Sequence, residues 1–331
     1  MTRHVILAYG RETEYWRAIF AILSFWAWYT GDKAKVRTLI FTDRPDFFKP
    51  HLGDLPADYV HLTAEAMQQM RGPQQYVHRI KLATVDQVFR DYPGDQLLFC
   101  DSDTFFVAPA EALLERLRPG VSLLHQREFT YAEAVDVYAS YKPAQDEYPR
   151  RFIELIESQT FQVGGQPRKF LRTQHMWNSG VLALRPEIAA LMPDIVALND
   201  AFYAGSGWMT VEQIAFSLAL PTQTQLMPSD EFVFHYWGAG QKQLMDRQLA
   251  QLFAGPFGRL SLAERLSQVR HLSSEWWHAV KLDQVREGAL YALAQGDLVA
   301  GLKYVAKALL TSPFDGDFIK SVFTILKKKY A

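Results

Sequence analysis

Cysteine is nearly absent: Cys100 is the only one in 331 residues. An internal disulfide is therefore excluded, and Cys100, inside the apolar run Leu97-Leu98-Phe99-Cys100, reads as a small buried hydrophobe. Such usage fits a reducing compartment. Net charge is equally slight, since 35 Lys and Arg against 36 Asp and Glu leave −1, which gives the molecule as a whole no electrostatic bias toward nucleic acid. Long hydrophobic runs are missing too. The most apolar stretch, Tyr15 to Tyr29, is interrupted by Arg17 and is too short to cross ~30 Å of hydrocarbon, so it reads as a buried helix. No targeting segment is expected, because His4-Val5-Ile6-Leu7-Ala8 already reads as a strand.

What is present is an ordinary globular composition, 49% hydrophobic and 21% charged, long enough for one large domain or two modest ones. Aromatics are plentiful, with 8 Trp and 22 Phe, and cluster in Phe25-Trp26-Ala27-Trp28-Tyr29. They could build a core, a sugar-stacking surface or a membrane-facing patch. Strand-like and helix-like segments alternate: strand 4–8, helix 13–29, strand 36–41, a helix near 45–50, strand 58–62, helix 74–90 and strand 96–100. Strand 180–184, helices 186–203 and 208–219, and the short strand Phe232-Val233-Phe234 follow. This order predicts an α/β fold with a largely parallel sheet. Between about 126 and 177 the pattern loosens around Pro143, Pro149, Pro167 and Gly164-Gly165, with one helical segment at 150–158, as in a lid or binding loop; its cations Arg168, Lys169 and Arg172 read as acceptor contacts or as a solvated face. Residues 244–331 read as a helical extension to a domain of residues 1–243, with a hairpin of helices 283–294 and 298–310 that resembles one tetratricopeptide-like unit. The tail from Phe318 to Tyr330 is amphipathic and ends in Lys327-Lys328-Lys329, which suits either a packed helix end or weak contact with an anionic membrane surface.

Asp101-Ser102-Asp103 closes the apolar run at 97–100. In an extended segment both carboxylates would leave the strand on one side, and adjacent carboxylates need a cation or a shared proton. A hard divalent ion that also holds a substrate's phosphates is the common solution. Lys81 falls on the inward stripe of its helix with Val77, Ile80, Thr84, Val85 and Val88, opposite Arg79, Asp86 and Arg90. It must snorkel, pair with a carboxylate or receive an anion. Asn178 and Ser179, before the strand at 181–184, could bond sugar hydroxyls or merely form a turn. Thr210-Val211-Glu212-Gln213 matches a capping box, which gives Gln213 a structural role. His235 could be simply hydrogen-bonded, or could join the two aspartates around a divalent ion, with imidazole favouring Mn²⁺ over Mg²⁺ and Gly238 allowing close approach of the next loop.

In their order these pieces resemble the GT-A nucleotide-sugar glycosyltransferases, most of all the glycogenin and lipopolysaccharide galactosyltransferase group, glycosyltransferase family eight. The matching segments are Val5-Ile6-Leu7-Ala8-Tyr9, Ile80-Lys81-Leu82, Leu98 to Thr104, Trp177-Asn178-Ser179-Gly180-Val181, Glu212-Gln213 and His235-Tyr236-Trp237-Gly238. The resemblance implies a GT-A core that uses a sugar donor linked to UDP, with retention of configuration. It implies Asp101, Asp103 and His235 as metal ligands, Tyr9 near the base, Asp101 and Ser102 near the ribose, and Lys81 and Gly238 on the donor. Asn178, Glu212 and Gln213 would face the transferred sugar, with Gln213 nearest the anomeric carbon. The family's aspartate–glutamine pair is Glu212-Gln213 here, the lysine expected at 241 is Lys242, and the lysine–proline–tryptophan ending is absent. A glycan, lipid-linked or protein acceptor and a cytoplasmic location, peripheral at the inner membrane for a lipid-linked acceptor, complete the expectation. Two other readings compete. Asp101-Ser102-Asp103-Thr104 also matches the Asp-x-Asp-x-Thr of haloacid-dehalogenase-type phosphatases, with Asp101 as nucleophile. The chain could also be a non-catalytic sugar-nucleotide-binding protein.

Overall fold

A computed structural model describes residues 1–141 and 145–330, and the side chains of these apart from 141, 295 and 328–330. The first part alternates as the sequence pattern predicts: β1 (Thr2–Leu7), α1 (Glu12–Trp28), β2 (Val36–Thr42), α2 (Pro45–Leu52), β3 (Ala57–His61), α3 (Ala64–Met70), α4 (Arg79–Asp91) and β4 (Gln96–Asp101). The short strand β5 (Thr104–Phe106), α5 (Ala110–Arg116) and β6 (Val121–Leu124) follow. Then come β7 (Arg127–Thr130), α6 (Tyr131–Tyr141), α7 (Glu147–Ser158), a hairpin of β8 (Phe161–Val163) and β9 (Gln166–Arg168), and β10 (His175–Trp177). After β11 (Val181–Leu184), α8 (Met192–Ser206) and α9 (Val211–Ala219), the strands β12 (Gln225–Pro228) and β13 (Val233–His235) end the α/β part. Four helices close the chain: α10 (Ala239–Ala254), α11 (Leu262–Gln295), α12 (Leu298–Thr311) and α13 (Gly316–Tyr330).

Seven strands form the central sheet in the order β12-β6-β11-β4-β1-β2-β3. The strands β4, β1, β2 and β3 run parallel, and β11 is the reversed strand, antiparallel to both β4 and β6. Both faces are covered, which explains why β4 is apolar at every interior position. Leu98 and Cys100 join the cluster under α1 and α11, whereas Leu97 and Phe99 join the one under α4, α8 and α9. The aromatic run at 25–29 is core: Phe25, Trp26 and Tyr29 are buried, and Trp28 donates its indole N–H to Ser273 of α11.

Two expectations are corrected, for residues 126–177 and for the hairpin at 283–310. Residues 126–177 are not a loose loop. Phe152, Ile156, Phe161, Val163 and Met176 are buried in the cluster that includes α8, because their apolar spacing is helical or alternating between the turns. Pro143 lies outside the described residues. The hairpin at 283–310 is not two short helices, since residues 283–294 are the end of a 34-residue helix whose start is fixed by a Ser261/Glu264 capping box. Phe20 of α1 stacks on Trp276 of that helix at 4.7 Å, and the α1-side core continues through Val269 and Val280. The expected boundary at 243/244 falls within α10. Finally, Phe318 and Val322 of the tail are buried against Leu293 and Ala308, while the side chains of Lys328 and Lys329 lie outside the described residues. Among the described residues no helix is long and apolar enough to cross a membrane.

Candidate active site

The carboxyl ends of β1 and β4 meet the amino end of β11 along one edge of the sheet, where open α/β sheets form their ligand crevices. Asp101 is the last residue of β4, and its amide donates to Gly180 O at 2.8 Å. Ser102 and Asp103 are not extended, as the i, i+2 reading assumed, but turn between β4 and β5. The carboxylates still converge because β5 pairs antiparallel with β13, setting Thr104 opposite His235. One oxygen or nitrogen from each of Asp101, Asp103 and His235 lies within 4.8 Å of the others. His235 Nε2 is 3.3 Å from Asp103 Oδ1 and 3.9 Å from Asp101 Oδ2. Gly180 is required here, since a Cβ on it would overlap the His235 ring.

Two cations compensate the aspartates. Lys81 Nζ lies 2.9 Å from Asp101 Oδ2, 3.1 Å from Glu212 Oε1 and 3.2 Å from Ser179 Oγ. Of the three options open to this buried lysine, pairing is the one realised. Burial alone would favour its neutral amine, but Asp101 and Glu212 outweigh that and raise its pKa. Glu212 is likewise pulled below the ordinary range against its burial by Lys81 and His78. Asp101 is raised, chiefly by burial with the Asp103 charge adding, while Lys81 opposes. Lys242 of α10 reaches Asp103 Oδ2 at 2.7 Å. Against burial, His235 and Lys242 hold the Asp103 carboxyl well below the usual carboxylate range. A carboxyl held ionised in this way is unsuited to the general-acid role that the phosphatase reading gives Asp103.

Glu128 was not singled out by sequence, where it is one acid in the weakly patterned segment after β6. It accepts from Asn178 Nδ2 at 3.2 Å on one oxygen and from Gln213 Nε2 at 3.3 Å on the other. Burial raises its pKa, with the two amides opposing. Because its NH₂ faces Glu128, Asn178 presents Oδ1 to His235 Nδ1 at 2.9 Å and to the Gly180 amide at 2.9 Å. That contact occupies Nδ1 and directs Nε2 toward the aspartates, the orientation a metal ligand requires. Gln213, with its NH₂ on Glu128, turns its carbonyl oxygen away from that acid. The expected capping box is absent: Thr210 makes no side-chain cap, and Gln213 reaches across to Glu128 instead.

All ten sequence-derived positions line two adjoining cavities of about 540 and 520 Å³ that share His78, Lys81, Asp101, Asp103 and Lys242. Tyr9 and Ser102 line the first, with Arg71, whose buried Nε has no hydrogen-bond partner. Ser102 donates to Glu14 Oε2 at 2.8 Å, and Arg17 joins Glu14 to Asp246 of α10. Asn178, Glu212, Gln213, His235 and Gly238 line the second, with Glu128 and Trp237. Arg168, Lys169 and Arg172 line neither, and Arg172 pairs with Glu157. Arg79, read as solvated, is instead clamped by Asp200.

The donor set fits a hard divalent ion. Two carboxylates and one imidazole face each other within 4.8 Å, and ligands ~2.1 Å from such an ion lie up to ~4.2 Å apart across it, so small side-chain rotations suffice. Arg71 lines the first cavity, where a guanidinium suits an anion.

No protein-family model matches this chain, and no curated protein matches it in sequence. Partial structural similarity is found to mouse xyloside xylosyltransferase 1 in its apo form, at 13% identity and a TM-score of 0.43 over 69% of this chain and 85% of that one. A second structure is the apo bifunctional glycosyltransferase WbbM, at 11% identity and a TM-score of 0.44 over 75% of this chain and 44% of that one. Likeness of this degree assigns neither a substrate nor a reaction.

Proposed function

We propose that the protein is a metal-dependent glycosyltransferase of the GT-A type that moves a sugar from a nucleoside-diphosphate donor, a UDP-sugar by resemblance, to a glycan-type acceptor. The observation that carries this reading is the meeting of Asp101, Asp103 and His235 at the junction of two cavities with different linings. Asp101, Asp103 and His235 would hold Mn²⁺ or Mg²⁺, which when bound supplies positive charge to a diphosphate leaving group. Lys81 and Lys242 add fixed cations there, and Arg71 adds a third to the lining of the same cavity. Tyr9 and Ser102 belong to the nucleotide side; Asn178, Glu212 and Gln213 to the sugar side.

Retention of configuration fits the polarity of the sugar side. Both oxygens of Glu128 accept from amide donors, and Glu212 Oε1 accepts from Lys81 and Ser179. The Gln213 carbonyl presents a negative dipole end suited to positive charge developing at an anomeric carbon. The acceptor hydroxyl would then pass its proton to the departing phosphate oxygen.

The test is a panel of nucleotide sugars with and without Mn²⁺. Slow, chelator-sensitive release of nucleoside diphosphate from one donor, with thermal stabilisation by that donor, is expected. Turnover that survives chelation, or trapping of an aspartyl phosphate from an aryl phosphate, would overturn the reading. NMR of the first-formed glycoside tests retention, and an inverted linkage would point to Glu128 or Glu212 as a base.

A further inference from the structure

A third cavity, of about 600 Å³, continues outward from the sugar side and shares Trp237 and Gly238 with it. One wall is helix α11, which lies outside the segments carrying the family resemblance. Gln284, Glu287, Gly288 and Tyr291 stand at i, i+3, i+4 and i+7 and so form a single stripe about 10 Å long facing the cleft. Ser140 of α6 and the head of α10 complete it. Two large rings lie open in the cleft, Trp237 at 44% exposure and Tyr291 at 56%. Gln284 and Glu287 are exposed polar groups on the same stripe, and Gly288 adds no side chain to it, a Cβ there just touching the Tyr304 ring at 4.0 Å. Gly240 has no side chain where Glu287 comes in: a Cβ there would overlap the carboxylate, so α11 and α10 are held close enough to share one floor.

We infer that this cleft is an acceptor subsite for an oligosaccharide of more than one ring, holding the sugars beyond the one that receives the transferred residue. The inference rests on the glycosyltransferase reading of the neighbouring site. A pyranose has an apolar C–H face edged by hydroxyls. The two aromatic rings match the faces, and in the same cleft an amide that both donates and accepts and a carboxylate that only accepts match the edges. A lipid chain would need a continuous apolar wall, which Gln284 and Glu287 interrupt. The long helix α11 thereby adds a wall of the acceptor path to its packing against α1.

The experiment compares wild type, Tyr291→Ala and Gln284→Ala on an array of immobilised oligosaccharides of one to six rings, with donor hydrolysis and thermal melting measured on each. Binding to arrayed chains of three or more rings should weaken about tenfold in Tyr291→Ala, as for other truncated aromatic anchors, and Tyr291→Trp should restore it. Single-ring binding, melting and donor hydrolysis should not change. Donor hydrolysis retained, with chain binding indifferent to both substitutions or absent from the wild type, would overturn the subsite and leave the transferase reading standing. Absence of hydrolysis with Tyr291-dependent chain binding would do the reverse.

Discussion

Two regions of the sheet treat buried ionisable groups in opposite ways. Within β1, His4 is fully buried, stacked at 4.2 Å on Phe25, and burial drives its pKa down to about 3, so it stays neutral. At the carboxyl edge of β4, Lys81, Asp103 and Glu212 are also buried, but there the charge is kept by mutual pairing. The core removes charge because nothing is present to solvate it; the edge concentrates charge because each group solvates its neighbour. Such an edge is poised for a charged ligand, since a cation and an anion entering together can exchange with the internal pairs.

The largest effect should come from breaking that pairing. Lys81→Met leaves Asp101 and Glu212 without their shared cation and should cost about 3–5 kcal/mol in urea unfolding, with partial recovery on adding Glu212→Gln. A loss under about 1 kcal/mol would mean that water already solvates the cluster. Asp103→Asn removes one of three converging ligand groups. Turnover should fall about 100- to 1000-fold, and calorimetry should show Mn²⁺ binding lost; near-full turnover would dissociate Asp103 from the chemistry.

The neutral side is tested by pH. Burial depresses the folded pKa of His4 to about 3 from the ordinary histidine value of 6.5, so the unfolded chain binds the extra proton between these values. Its contribution is complete above pH 6.5 and declines as pH falls toward 3, amounting to roughly 2–3 kcal/mol of lost stability between pH 7 and 4.5. His4→Gln should flatten this part of the urea-measured pH profile, and an equally steep decline in the variant would sink the assignment.

Glu128→Gln sharpens the comparison further, because it tests orientation rather than charge pairing. Freed from Glu128, Asn178 and Gln213 can flip, and metal affinity and turnover should each fall about 10- to 100-fold. Nucleoside-diphosphate binding without metal, measured by fluorescence titration, should hold. The smallest effect is expected for Arg71→Ala, about tenfold weaker nucleoside-diphosphate binding with unchanged thermal stability. Unchanged affinity would remove Arg71 from the anion site.

Much of the edge was legible in the chain because its signals are local. A lysine at 81 on an otherwise apolar stripe, an acidic pair closing an apolar strand, and Trp177 to Gly180 ahead of another strand each stand out against a period of 2 or 3.6. Glu128 carries no such signal. Its partners, Asn178 and Gln213, are 50 and 85 positions away, and β7 and α9 bring them to it only in the fold. Gln213 was misread for the same reason, since a local capping motif and a distant carboxylate compete for one side chain and sequence displays only the first. Lys242 looked displaced by one residue, yet its long side chain spans the difference and reaches Asp103.

By itself, then, the sequence determined the alternation of strands and helices, the two-faced burial of β4 and the presence of an acidic pair at its end, because these follow from periodicity and short-range sterics. The tertiary structure alone decided which nitrogen of His235 faces the aspartates, which way the Gln213 amide points, and that helix α11 runs unbroken from Leu262 to Gln295 past the mouth of the site. Those outcomes depend on hydrogen bonds and packing between segments tens to hundreds of residues apart, where no local preference is strong enough to dictate the answer.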